Sequence, residues 1–145
     1  MMRTVETGSA AETFNLGRQM GQAAKAGDIF ALSGDLGTGK TVFTQGFADG
    51  LGVREQVNSP TFTILQIYES GRLPLYHFDV YRIGDPEEMY EVGWEDYVWS
   101  DGVCLIEWAD LIGELTEEIP PEKLTEVRIE KDPARGFDYR KLLIR

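Results

Sequence analysis

Residues 34 to 41 read GDLGTGKT. Three glycines in eight positions would weaken any helix or strand that held them, so the segment reads as a loop whose backbone must come closer to something than side chains allow. Gly34, Gly39, Lys40 and Thr41 fit the pattern G-x-x-x-x-G-K-[ST]. In that pattern backbone N–H groups converge on phosphate oxygens, and the helix that follows turns its positive end toward the same anion. The Lys40 ammonium then reaches the β- and γ-phosphates, and the Thr41 hydroxyl ligates Mg²⁺. A loop of this kind is expected at the surface. The flanks agree: IFALS (29 to 33) is a short apolar run, and Val42, Phe43 and Phe47 recur at helical spacing until Gly50 or Gly52 ends the pattern.

Working outward, Ser9 and Glu12 have the spacing of a capping box, opening a helix whose partly apolar face is Phe14, Leu16, Met20, Ala23 and Ala24 and which stops near Gly27. PTFTILQIY (60 to 68) and LPLYHFDVY (73 to 81) are rich in β-branched and aromatic residues and are joined by ESGR, a hairpin pattern. Asp85 as cap, Pro86 at the first helical position and Glu88 three residues after the cap predict a helix through about Val98. VCLIE (103 to 107) has the continuous apolar character of a strand covered on both faces. The alternation in VRIE and YRKLLIR, separated by DPARG, predicts an antiparallel pair added to the sheet.

A phosphate loop needs an acid on a second strand to position its metal. Glu107 closes VCLIE and would project from the carboxyl end of a buried strand, while Asp79 closes LYHF and is the second candidate. For both, the alternative is a solvated acid in a chain that carries 25. His77, the one histidine, shares a strand face with Asp79. That spacing suits a metal pair, an acid–base couple or a hydrogen-bonded structural histidine, the last being favoured because no third ligand is near. Thr61, in NSPTFT, stands where nucleotide switches place a metal-sensing hydroxyl, and equally where a threonine ends a turn set by Pro60. Trp94, Trp99 and Trp108 read as packing residues, with Trp108 notable for adjoining Glu107.

At 145 residues the chain is expected to form one domain, residues 1–145. Its 42% hydrophobic and 27% charged composition is that of a globular protein. No apolar run is long enough for a membrane span and MMRTVETGSAAE lacks a signal-peptide core, so a cytoplasmic protein with no membrane contact is expected. The single Cys104 permits no internal disulfide, and its setting predicts a small buried hydrophobe. A formal charge of -11 disfavours direct binding of nucleic acid by a broad basic surface. The two asparagines, Asn15 and Asn58, supply no N-K-x-D guanine reader, which favours ATP over GTP.

GDLGTGKT, SPTFT (59 to 63), YHFDVYR (76 to 82), DPEE (85 to 88) and LIEWAD (105 to 110) together resemble the TsaE family of bacterial ATPases over roughly residues 5 to 130. The resemblance implies an α/β fold: a P-loop NTPase-like domain with a mixed, mostly parallel sheet, flanking helices and an antiparallel edge. It implies ATP phosphates on Leu36, Gly37, Thr38, Gly39, Lys40 and Thr41, Mg²⁺ on Thr41 and Glu107, catalytic roles for Asp79, Lys40 and Glu107, and functional roles for Thr61 and Trp108. It also implies work with the TsaB–TsaD complex, which places a threonylcarbamoyl group on the adenosine beside the anticodon, tRNA being met only through that complex. The runner-up activity is a small P-loop kinase of a metabolite or nucleoside. A third reading is an adaptor whose bound nucleotide is structural.

Overall fold

The computed structural model describes residues 2–35, 37–58 and 63–145. Leu36 and Thr61, both named above, lie outside the described residues. In chain order the elements are β1 (Arg3–Thr7), α1 (Ala10–Ala23), β2 (Ile29–Ser33), α2 (Lys40–Leu51), β3 (Leu65–Tyr68), β4 (Leu75–Asp79), α3 (Glu88–Glu91), α4 (Trp94–Val98), β5 (Val103–Glu107), α5 (Gly113–Thr116), β6 (Leu124–Lys131) and β7 (Arg140–Ile144).

IFALS becomes β2, the middle of a seven-stranded sheet ordered β1-β7-β6-β2-β5-β4-β3 among the described residues. The inner strands β6, β2, β5 and β4 run parallel. β3 pairs antiparallel with β4 at one side, and β7 and β1 do so at the other. The fold class read from the sequence is therefore correct, with an antiparallel strand at each edge rather than at one. β5 is buried at all five positions, as a strand covered on both faces must be. The tail forms the expected antiparallel pair, added to the sheet through β6, which lies parallel against β2. β1, which the sequence reading left unassigned, pairs with β7 from Arg3↔Ile144 to Thr7↔Arg140.

Two cores flank the sheet. Phe30, Leu32, Leu75 and Leu105 point toward Phe43 and Phe47 of α2, while Ile29, Phe78 and Ile106 point toward Trp94, Val98 and Ile112 on the opposite face. Phe30 and Phe47 meet edge-on at 4.6 Å. Full burial of each such side chain contributes about 1.5–3 kcal/mol. Helix α1 begins as predicted: Ser9 Oγ accepts from Glu12 N at 3.2 Å. Of the expected face, Leu16, Met20 and Ala24 pack on the core, while Ala23 is exposed. Thr13, Gly17 and Gly21 are buried as well, because α1 meets α2 backbone to backbone. A Cβ on Gly21 would lie 2.1 Å from Phe47 O, and one on Gly46 2.0 Å from Phe14 O. The helix ends at Ala23, where Arg72 donates to the carbonyls of Gly21, Gln22 and Ala24 at 2.7–2.9 Å, placing a cation at the negative end of the dipole.

The helix expected from Asp85 to Val98 is two short ones. Gly93 stands at φ +89, which a right-handed helix cannot contain. Asp85 Oδ1 accepts from Glu87 N in a turn and Glu88 Oε2 accepts from Gly84 N, so the cap chemistry closes a loop and leaves one helical turn, α3. β3 and β4 confirm the hairpin with shorter strands than the apolar runs suggested. Cys104 is buried, as expected, and burial pushes its thiol up to about 12.

Candidate functional site

The loop between β2 and α2 is shaped by glycine where nothing else fits. Gly34 adopts φ +143, and a Cβ there would sit 2.5 Å from Ile129 O on β6. Gly39 takes φ +95 immediately before α2, turning the chain into the helix. Thr38 closes the loop from within, its amide and hydroxyl both donating to Asp35 O at 3.3 and 2.8 Å. The loop expected at the surface is only partly so: Asp35 and Gly37 are exposed, but Thr38 and Lys40 are buried, Lys40 to 5% exposure. Lys40 Nζ donates to the carbonyls of Gly34 and Asp35, both at 2.7 Å, with Thr38 Oγ1 at 3.3 Å, and stands 3.9 Å from the centre of the Trp108 ring. Burial lowers its pKa, while the acids Glu107, Asp110, Asp35 and Asp79 pull the other way.

The acidic wall comes from strand alternation. Positions 75, 77 and 79 on β4 and 103, 105 and 107 on β5 face the α2 side of the sheet, and the register pairs Asp79 with Glu107. Glu107 thus arrives at the carboxyl end of a central strand, beside the loop. Its Oε1 lies 3.5 Å from Thr41 Oγ1, and its Oε2 lies 2.5 Å from His77 Nε2, with the two side chains 2% and 0% exposed. His77 therefore pairs with Glu107, not with Asp79. It is a hydrogen-bonded histidine as favoured, but one bonded to the candidate metal acid. A carboxylate has no proton to give, so the bond assigns Nε2–H as donor. His77 Nδ1 is buried with no hydrogen-bond partner among the described residues.

Asp79 is half-buried and accepts from Tyr81 N at 3.1 Å. Burial raises its pKa; the Tyr81 amide opposes this, and the neighbouring Glu107 carboxylate adds to it. Trp108 follows Glu107 at φ 64, the one non-glycine residue with positive φ among the described residues. Such a conformation costs on the order of 1–3 kcal/mol and is held here by the Tyr81 ring, 4.6 Å away, and by the Lys40 ammonium. Trp108 thus packs against the core on one side of the sheet and meets the loop's own lysine with its ring face.

Among the described residues no three His, Cys, Asp or Glu side chains are grouped so as to hold a metal by themselves. Mg²⁺ takes one or two carboxylates and completes its shell with phosphate oxygens and water. Thr41, Glu107 and Asp79 offer hard oxygen donors of the right kind beside a phosphate-shaped loop.

Sequence reasoning missed the brace on the loop's other side. Arg140, at the start of β7, donates from Nε to Thr38 O at 2.8 Å and from Nη2 to Gly37 O at 3.4 Å, while Nη1 holds Phe137 O and Tyr139 O. No local signal marks it, since Arg140 and Thr38 are 102 positions apart. His77 and Glu107, 30 apart, were each noticed but could not be paired without the β4–β5 register.

A parallel-cored α/β sheet whose central strand runs through GDLGTGKT into a helix, with a buried acid at the end of the adjacent strand, defines the P-loop NTPase-like class of fold. Within that class the chain belongs to the TsaE family. The model of threonylcarbamoyl adenosine biosynthesis protein TsaE matches residues 7–140. The tRNA threonylcarbamoyladenosine biosynthesis protein TsaE of Bacillus subtilis is 51% identical over 113 residues, covering 78% of this chain and 68% of that protein. Its counterpart from Treponema pallidum is 41% identical over 117 residues, covering 81% and 84%. A crystal structure of Bacillus subtilis YdiB superposes with a TM-score of 0.77 at 37% identity over 99% of this chain and 84% of the other. The family places the chain in the biosynthesis of threonylcarbamoyladenosine in tRNA. Among the described residues no helix is long and apolar enough to cross a membrane.

Proposed function

We propose that the chain is a Mg²⁺-dependent ATPase of the cytoplasm that acts as a nucleotide switch on the TsaB–TsaD transferase complex. The observation that carries this reading is the convergence of Lys40, Thr41 and Glu107 at one loop, with Asp79 beside them. The amides of residues 36 to 41 would bind the β- and γ-phosphates, and Lys40 would exchange part of its carbonyl bonding for phosphate oxygens. Thr41 and Glu107 would hold Mg²⁺, which supplies neutralisation of charge as the γ-phosphoryl leaves. His77 fixes the Glu107 carboxylate by binding its second oxygen. Asp79, with its proton affinity raised by burial, is suited to orient a water and take its proton as that water's oxygen bonds to the γ-phosphorus and the bond to the β-phosphate oxygen breaks. Trp108 links the lysine to the strand end, so occupancy of the loop would be felt at the surface around Tyr81. Thr61 remains a switch candidate by resemblance.

Phosphate release from Mg-ATP, with and without a TsaB–TsaD pair, tests the reading. Turnover is expected to be low alone and raised by the partner, and Glu107→Gln, nearly isosteric, should lower it about 100-fold or more at fixed Mg²⁺. Full activity in the variant would reject the metal role. Recovery of the γ-phosphate on a small acceptor would mark a kinase instead.

A further inference from the structure

Arg140 opens β7 at the centre of the antiparallel trio, opposite Lys131 of β6 and Thr7 of β1. One end of its guanidinium is tied to its own turn, Nη1 donating to Phe137 O at 2.9 Å and to Tyr139 O at 2.7 Å. The other end reaches the phosphate loop, Nε donating to Thr38 O at 2.8 Å and Nη2 to Gly37 O at 3.4 Å. We propose that Arg140 is a positioning residue of the nucleotide site: it binds no part of the ligand, and holds the peptide units that follow Gly37 and Thr38 so that the Gly39 amide faces the phosphates. The inference rests on the nucleotide reading above.

Three features support it. The first is the geometry of a trans peptide, in which C=O and N–H point in opposite directions. The Thr38–Gly39 bond is trans, so a donor that draws Thr38 O toward β7 turns the Gly39 N–H away from β7 and into the loop. That N–H has no acceptor among the described residues, as an amide kept for an anion must. The second is the ease with which this segment would otherwise turn over. Gly37 and Gly39, at φ +77 and +95, flank Thr38. Glycine takes positive and negative φ about equally, so either unit could rotate and present a carbonyl to the phosphates. The Gly37–Thr38 unit is pinned at both ends, by Arg140 at its oxygen and by Asp35 O at its N–H. Among the described residues, the Thr38–Gly39 unit is held by Arg140 alone. The third is the donor inventory. A guanidinium has five N–H groups, and main-chain carbonyls engage four of those on Arg140, which suits a brace better than a ligand-binding side chain.

Equilibrium binding of ATP and of inorganic tripolyphosphate to the whole chain, at equal Mg²⁺, tests the role. Arg140→Met keeps the apolar stem and removes the donors. It is expected to weaken both ligands by the same factor, about tenfold, the scale of one charge-assisted hydrogen bond. The factor should hold between about 0.05 and 0.5 M KCl, since a bond to the main chain is not screened as a distant attraction is. In the ligand-free variant the Gly39 amide resonance should broaden through exchange between orientations, while the melting temperature falls by only a few degrees. A residue that merely supports the fold would move the melt and not the resonance. Loss of ATP affinity alone would make Arg140 a nucleoside contact, and a factor that vanishes at high salt would make it a distant charge. Either result overturns the positioning role, as does unchanged binding of both ligands or a sharp Gly39 resonance. Should the variant misfold, wild type decides: the Arg140 Nε–H should be equally protected from hydrogen exchange with and without tripolyphosphate. Protection lost on binding means that Arg140 leaves Thr38, which overturns the proposal. Wild type binding neither ligand removes the nucleotide reading and the inference with it.

Discussion

Replacing His77 with leucine should destabilise the protein through Glu107, not through a packing defect. The two side chains are 0% and 2% exposed and 2.5 Å apart, and leucine nearly conserves the volume of the imidazole. His77→Leu strands a buried carboxyl whose other contact is Thr41 Oγ1 at 3.5 Å, and removing one partner of a buried pair typically costs about 3–5 kcal/mol. Part is returned, because the unpartnered Nδ1 disappears as well, a relief of roughly 1–3 kcal/mol. The net expectation is a loss of about 2 kcal/mol. With an unfolding entropy of roughly 2.1 cal/mol/K per residue, a chain of this length loses about 7 °C in Tm. His77→Gln, which can still donate an N–H to Oε2, should cost less than about 1 kcal/mol. The double variant His77→Leu/Glu107→Leu should recover most of the loss, since an apolar pair of similar volume often replaces a buried ionic one at little cost. Calorimetric melts of wild type, these three variants and the single variant Glu107→Leu, at neutral pH without nucleotide, decide the matter. Equal melts for His77→Leu and His77→Gln, or a double variant whose loss is the sum of the singles, would refute the coupling.

Asp79 should show the opposite sign. A carboxyl that holds its proton more tightly folded than unfolded loses stability as pH rises from the unfolded pKa through the folded one, so its ionised form is a standing cost at neutral pH. Asp79→Asn keeps an acceptor for the Tyr81 amide and should melt above wild type at pH 7, while losing ATP turnover. The advantage should vanish below about pH 4, where the carboxyl is protonated in both states; an equal or lower melt at pH 7 would contradict the burial argument. At Trp108, alanine and glycine both remove the Tyr81 and Lys40 contacts, but alanine keeps the strain of φ 64. Trp108→Gly should therefore be the more stable of the two by about 1 kcal/mol in chemical denaturation, and the reverse order would refute the strain.

The pieces of this molecule that could be read before folding are those whose causes lie within a few residues. GDLGTGKT announces a loop because its glycines are unfit for anything regular, and the apolar run before it and the helical spacing after it fix its context. Ser9 and Glu12 cap α1 as their spacing says, because the bond spans three residues. Where neighbouring signals compete, the reading fails: Asp85, Pro86 and Glu88 are sound start signals, but Gly93 cuts the helix and their side chains close a turn instead. β1 was missed because RTVET, with one apolar side chain in five, gains its strand character from pairing with β7 at the far end of the chain.

Alone, the sequence determined the strand–loop–helix unit and the family, and it singled out the candidate acids, since alternation along a strand already puts His77 and Asp79 on one face and ends VCLIE in a carboxylate. It could not say which of these would touch. The pairing of His77 with Glu107, the register that sets Asp79 beside Glu107, the Trp108 ring over the Lys40 ammonium and the Arg140 grip on Thr38 all join residues from separate elements. Period-two alternation assigns a face but not a neighbour, and only the order and register in which the strands assemble bring those groups within bonding distance.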